Sequence, residues 1–413
     1  MGRNNWRTGL WAAILATAFL AAGSAMALER PMDWVYPSVL SIPNHREIWR
    51  SVMIELSGYA KNRQKNFIVL MHGGSELVVK GEREVVWDMV QDPRGRMVEK
   101  RLTQGVPFRP FIKLLDGVIV DGLYCGDFAF DVPVDEAVKK LRDENQTLAA
   151  ERARGVSRLP VASANFGPFS NDPQVELKRA AEIRRKLEIA DKKQVITYAA
   201  MALRDEGRLI LSNEKCADAK QGDRAFANGQ RDHVVSHISA GTALSKVPKG
   251  HAWGENGNAV TNMSSAKNWF ASLKGEAYAS KAEWLMALEN SNYDVLVVDV
   301  SQRGTDPLTK DDVRGLKFKH LGSQRLVLAS LPLGRAFDWG WYWKKEWKAG
   351  NPAFLFSPDD AEPGAYATDL GDAKWKEILG KYMMGILDMG FDGVVFEDVD
   401  TFLWYEDLMP IGQ

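Results

Sequence analysis

Two cysteines in 413 residues are too few for a disulfide-dense scaffold, and alone they cannot build a tetrahedral zinc site. Neither Cys125 nor Cys216 sits in a CxxC or CxxH arrangement, so two readings stay open, one disulfide or two separate buried thiols. Histidine is also scarce, at six residues. His233 and His237 have the i, i+4 spacing that suits a metal on a helix, but their segment reads as a strand, and no metal or other cofactor is expected. No Gly-x-Gly-x-x-Gly and no Gly-Lys-Ser/Thr follows an apolar run, which removes the phosphate-cradling loops of nucleotide-binding sheets. An excess of one charge is missing as well. Lys and Arg number 53 against 54 Asp and Glu, with no basic stripe of the kind nucleic acid requires. Beyond residue 22 no apolar run is long enough to span a bilayer. There is no internal repeat and no low-complexity tract.

The first residues carry a targeting pattern. Arg3 and Arg7 form a basic region, residues 10–22 an apolar core, and Ala25-Met26-Ala27 a small-residue cleavage site. The expectation is a secretory signal peptide over residues 1–27, with the mature chain starting at Leu28 and exported to the periplasm or beyond. No cysteine follows the cleavage site to anchor a lipid. The leader holds two arginines and no acid, so its removal leaves a net charge of about −3.

Eight short segments read as strands: residues 67–71, 117–121, 195–199, 234–238, 269–273, 295–299, 326–331 and 392–396. Most are continuous apolar runs, as expected of strands buried on both faces of a parallel sheet. Helical patterns over 47–61, 134–154, 173–192, 280–289 and 373–387 lie between them. Strand alternating with helix about eight times predicts an α/β fold, a (β/α)8 barrel, with a doubly wound open sheet as the alternative. The domain reading is one barrel over residues 28–413, with surface insertions near 134–192 and 240–266.

The chemistry sits at strand ends. Gly390–Phe396 is a turn and a strand that delivers Glu397, Asp398 and Asp400, and the strand after Tyr293 delivers Asp299. Carboxylates massed past a buried strand need a partner, a proton or water, and such places are more often sites than scaffold. Paired carboxylates at neighbouring strand ends suit glycoside hydrolysis, which needs a proton donor and a base or nucleophile. Strand alternation keeps Glu397 and Asp398 from both facing the mouth if the strand stays regular. His72 follows a strand and precedes two glycines, a position from which an imidazole can titrate near neutrality or bind a sugar hydroxyl. Trp339, Trp341, Tyr342, Trp343 and Trp347 crowd one segment too short to bury all of them. Trp339 and Trp341 are the expected cleft residues.

The block Gly390–Phe402 resembles the "GFDGVxLDxxDxY" block of the endo-α-1,4-polygalactosaminidase-like barrels, glycoside hydrolase family 114 and its relatives. Residues 293–301 resemble that family's "YDLxVIDYS" strand, 268–273 its "NWxYQL" strand, and 326–343 its "VIAYLSIGEAEDYRxYW" segment. Residues 67–77 resemble "FxVIPQNGEEL", and 116–124 resemble "IDGIAVEDLFY". The blocks run in a different order, with the family's late strands first here, which implies a circularly permuted barrel. The resemblance implies an endo-acting hydrolase of an α-linked, galactosamine-containing polysaccharide, with Asp299, Glu397 and Asp121 as catalytic carboxylates. His72, Arg335, Asp338, Trp339, Trp341, Tyr342, Asp398 and Asp400 would bind substrate. Arg335 stands where the family has Glu and reverses the charge. It could pair with Asp338, bind an anionic sugar, or neutralise Asp299. The alternative is therefore a catalytically inactive glycan-binding or exopolysaccharide-assembly protein on the same barrel.

Overall fold

The computed structural model describes residues 42–409 apart from 82–83, 85, 92–94, 103–105, 127–172, 241–245 and 249. The expected signal peptide and the helix expected over 134–154 lie outside the described residues. Among the described residues no helix is long and apolar enough to cross a membrane.

Eight parallel strands form one sheet curled into a nearly closed barrel. They are β1 (Ile68–His72), β2 (Gly117–Asp121), β3 (Leu209–Cys216), β4 (Val234–Ala240), β5 (Trp269–Ser272), β6 (Val295–Val298), β7 (Leu326–Pro332) and β8 (Gly393–Glu397). β1 pairs with β8 on one side and β2 on the other, so the first and last strands are neighbours. The helices are α1 (His45–Arg63), α2 (Pro173–Asp205), α3 (Ala219–Arg231), α4 (Lys281–Glu289), α5 (Lys310–Leu316), α6 (Ala373–Met389) and α7 (Thr401–Leu408). Helix α1 precedes the barrel and packs on α6 and α7, which flank β8. Its start is set by Asn44, whose side chain accepts from the Glu47 N–H, and the starts of α4 and α6 are capped in the same way by Ser280 and Asp372.

Each strand contributes to an inner apolar cluster, through Leu70, Ile119, Leu211, Val235, Ala271, Val297, Leu328 and Val395, and Ile68, Trp269, Val295 and Leu326 add a second residue from β1, β5, β6 and β7. The alternate residues face outward and form the larger core shared with the helices, such as Val69, Val118, Leu296, Val327 and Val394.

Seven of the eight expected strands are present within a residue or two of their expected ends. The segment 195–199 is not a strand. Ile196, Ala199, Ala200 and Leu203 are buried at helical spacing inside α2. The third strand is β3, whose Ser212, Asn213 and Glu214 are buried polar residues that mask the apolar signal. Residues 173–192 belong to this crossover helix.

The connection from β4 to β5 has no α-helix among its described residues, only a 3-10 turn at Met263–Ser265. Its end is not a surface loop: Val260, Met263 and Ala266 belong to the inner apolar cluster and plug the N-terminal end of the barrel. The plug is pinned by a buried ion pair, Lys319 to Asp294 at 2.5 Å. The Lys319 ammonium also donates to the Asn256 and Asn258 carbonyls, and Asp294 accepts from the Lys267 N–H. Full pairing is what makes two buried charges tolerable. No backbone ladder joins β4 to β5. His237 fills the gap, its ring against Trp269 and Phe270 and hydrogen-bonded to the Trp269 backbone. Burial lowers its pKa to about 4, so it sits there neutral. The i, i+4 pair with His233 makes no metal site, because His237 lies in this seam and His233 in the turn before β4.

Cys125 and Cys216 are joined, tying the turn after β2 to the end of β3. The bridge closes a sequence separation of 91 residues. Long loops lose much chain entropy when closed, so Cys216→Ser should cost about 2–5 kcal/mol of unfolding free energy. Urea melts of that variant and of the wild type with and without reductant would show it. Coincident midpoints would mean that the bridge contributes nothing.

Candidate active site

The C-terminal ends of the strands carry the expected carboxylates into one place. Two residues beyond the inner apolar residue, each strand turns its next side chain toward the mouth. That step gives His72, Asp121, Asn213, His237, Leu273, Asp299, Ser330 and Glu397 in chain order. One residue in this series is apolar, so the barrel changes from oil to polar within one strand repeat.

His72 links the two halves of the mouth. Its Nδ1 lies 2.8 Å from Glu397 Oε2 and its Nε2 3.2 Å from Asp121 Oδ2. Asn213 Nδ2 donates to the other Asp121 oxygen at 2.6 Å. Burial opposes the imidazolium, yet the Glu397 and Asp121 charges and hydrogen bonds outweigh it and hold His72 well above its ordinary pKa. Burial also opposes the Asp121 carboxylate, but His72, Asn213 and Lys215 hold it below the usual range.

Asp299 is almost wholly buried, 8% exposed. It accepts from the Lys274 N–H at 2.8 Å and bonds the Ser330 hydroxyl. Burial, with the Glu397 charge added, outweighs these bonds and raises its pKa to about 6. Asp398 reaches the same value. Burial drives it up, Arg335 opposes, and the Glu397 charge adds to the rise.

Glu397 and Asp398 both line the cleft. A regular strand forbids this. The strand ends at Glu397, and Asp398 adopts φ 56, a left-handed conformation that Asp tolerates better than most residues. The bend brings the second side chain back to the mouth. Asp400 does not reach the cleft. It accepts from the Gly74 N–H at 2.6 Å and packs against Gly73. Both glycines have positive φ, and a Cβ on Gly73 would lie 2.5 Å from Asp400. Asp400 thus holds the turn that aims His72.

Arg335 does not neutralise Asp299, and its partner is not Asp338. It pairs with Asp359 at 2.8 Å, Glu362 at 3.1 Å and Asp398 at 3.2 Å. Asp359 and Glu362 lie on a turn of a small antiparallel sheet inserted between β7 and α6, built of Arg335–Phe337, Leu355–Pro358 and Ala365–Thr368, and Asp398 follows β8. Asp338 is exposed beside Gly364, away from the cleft. Trp339 and Trp341 both line the cleft, Trp339 stacked on Phe337 and Trp341 56% exposed. Tyr342 lines it as a wedge, its hydroxyl accepting from the Phe337 N–H and its ring edge-on to Trp375.

Sequence reasoning missed Lys274, Ser330, Glu362 and Tyr382, which complete the cleft. Lys274 and Ser330 adjoin strand ends and were findable. Glu362 comes from an inserted turn and Tyr382 from α6, and no local pattern marks them. Burial and the Asp299 charge hold the Tyr382 phenol well above its ordinary pKa, so it stays a donor. The cleft measures about 280 Å³, near the lower end for ligand sites. Among the described residues no cluster could hold a metal ion.

Asp299 and Asp398 bind protons more tightly folded than unfolded between about pH 4 and 6, so each costs stability as pH rises through that window. His72 acts with the same slope at higher pH. Its contribution is full below its ordinary pKa and is lost as pH climbs through the raised one. Asp299→Asn should therefore stabilise the fold at pH 7 by on the order of 1–3 kcal/mol and change little at pH 4. Urea unfolding at the two pH values measures this, and an equal effect at both would contradict the buried-acid assignment.

No protein-family model matches the chain. It is 29% identical over 152 residues to an uncharacterized protein of Methanocaldococcus jannaschii, a match covering 37% of this chain and 43% of that protein. It is 25% identical over 149 residues to one of Thermotoga maritima, covering 36% and 45%. It is 28% identical over 140 residues to one of Deinococcus radiodurans, covering 34% and 42%. The chain thus spans less than half the length of these curated relatives, and a barrel with an acid-lined mouth is the level at which it is described.

Proposed function

We propose that the protein is an exported glycoside hydrolase, with Asp299 as proton donor and Glu397 as base or nucleophile. The observation that carries the reading is the pairing of two unlike carboxylates in one cleft. Asp299 is buried with its pKa near 6 and can hold a proton, while Glu397 is fixed by the His72 imidazolium. A buried acid beside an ion-paired carboxylate supports a proton donor and a base or nucleophile for glycosidic cleavage. Trp341, exposed on the wall, and Trp339 offer faces on which sugar rings stack. Tyr382, whose phenol stays protonated beside Asp299, is a donor for substrate hydroxyls, while the Ser330 hydroxyl is held by Asp299. Asp121 acts through His72. The relationship to the polygalactosaminidase-like barrels, and with it an α-linked hexosamine polymer as substrate, is part of the same proposal.

The proposed permutation has one physical support. The ladder is broken between β4 and β5, the point at which the family's order of blocks would begin and end. A non-catalytic glycan-binding role, with Arg335 blocking Asp299, is less favoured because Arg335 pairs elsewhere.

Release of reducing ends from a panel of bacterial exopolysaccharides, including galactosamine-rich ones, tests the reading. Glu397→Gln and Asp299→Asn should each lower turnover by about 100- to 10,000-fold. kcat/KM should fall above about pH 6 as Asp299 loses its proton. Binding of a polymer without cleavage by the wild type would replace the hydrolase with the glycan-binding role.

A further inference from the structure

One carboxylate in the cleft does not belong to the barrel. Glu362 sits on the turn between the inserted strands Leu355–Pro358 and Ala365–Thr368 and reaches back over the mouth. Its Oε1 pairs with Lys274 and its Oε2 with Arg335. Lys274 arrives from the end of β5, its ammonium over the Phe337 ring at 5.2 Å and the Trp339 ring at 6.0 Å. Arg335 arrives from the opposite wall and is braced by Asp359 and Asp398. Two cations from different elements, each held by other contacts, thus converge on one carboxylate that is 27% exposed in its side chain. A planar guanidinium and an ammonium over aromatic faces form a strong carboxylate receptor.

The anion at this point is the close partner of Lys274, with Glu276 farther off at 3.7 Å, and it also reaches Arg335. The other carboxylates have partners of their own, Glu397 and Asp121 on His72, and Asp359 and Asp398 on Arg335. A ligand carboxylate that displaced Glu362 would keep Lys274 paired. A ligand ammonium there would face both cations.

We propose that Lys274 and Arg335 form a carboxylate-binding subsite, filled by Glu362 of the same chain in the free protein, and that the sugar unit seated there is a uronate. The proposal rests on the glycoside reading of the cleft. It concerns the unit beside Lys274, not the unit cleaved between Asp299 and Glu397. Glu362 acts as an internal competitor, so the apparent affinity for a uronate is reduced by the fraction of molecules in which the turn is closed.

Calorimetric titration with α-1,4-linked trigalacturonate, the matching neutral galactotriose and a sulfated galactotriose tests this on the full chain. The wild type should prefer the uronate to the neutral sugar. Glu362→Gln should tighten uronate binding by about tenfold, the effect of releasing a turn closed nine-tenths of the time. Lys274→Met and Arg335→Leu should each abolish the preference; Lys274→Met keeps the apolar stem, and thermal melts establish that it is folded. Equal binding of uronate and neutral sugar, or no gain in Glu362→Gln, overturns the subsite. Preference for the sulfated sugar over the uronate overturns the carboxylate assignment. Cleavage assays run in parallel separate the two proposals. Uronate binding with no cleavage of any polymer leaves the subsite and removes the hydrolase. Cleavage with no uronate preference does the reverse.

Discussion

The site depends on strand alternation carried by parallel register through every pair of neighbouring strands but β4 and β5. From β1 to β4 and from β5 through β8 back to β1, each ladder fixes how far one strand has climbed past its neighbour. The inner apolar residue of each strand then fixes where the next inward side chain must emerge. A slip of one residue in β8 would turn Glu397 outward and leave His72 buried without its partner. The apolar layer holds the polar one in place and keeps water out beneath it. That is why Asp299, with Val297 below it and Ser330 beside it, is desolvated enough for its pKa to rise to about 6.

Stability is given up to keep the mouth in this state. Two buried acids with pKa near 6 and a left-handed Asp398 all cost free energy in the folded chain. The compensation is spread around them. His72 ties Glu397 to Asp121, Arg335 draws Asp398 toward the inserted sheet, and Asp400 clamps the Gly73-Gly74 turn. Across the mouth, the buried Glu214 accepts from the Tyr124 and Cys125 N–H groups, next to the Cys125–Cys216 bridge. Both walls are therefore cross-linked near the chemistry, one by ion pairs and one by a covalent bond.

The β4–β5 crossover departs from the repeating pattern, and its parts explain one another. Its described residues hold no α-helix, no ladder joins the two strands, and the His237, Trp269, Phe270 and Tyr293 rings fill the space. Trp269 reaches inward, its indole N–H donating to the Ser212 carbonyl of β3. The freed segment turns under the barrel and is locked by Lys319 and Asp294.

Much of this was legible in the chain. Apolar runs ending in Asp299 and Glu397 specify buried parallel strands with acids at their C-terminal ends, because neither a continuous Val-Val run nor a carboxylate beyond it suits any other place in an α/β sheet. His72 before two glycines, and Trp339 and Trp341 in a segment too short to bury them, were equally local signals. Other features depend on what a side chain meets across the fold. Strand β3 hid its identity because its polar residues find partners only on β2, β4 and the 122–125 turn. Asp398 faces the cleft through a backbone bend that Arg335 and the Thr401 contacts reward, and alternation alone denies it. Glu362 and Tyr382 enter from an inserted turn and an outer helix, so their place beside Asp299 is set by packing between distant segments. The sequence by itself determined the alternation of buried parallel strands with helices and the acids at the strand ends, since those follow from period and composition. Tertiary structure alone decided which acid keeps its proton, where Arg335 points and whether the cysteines join, since burial and long-range proximity have no local code.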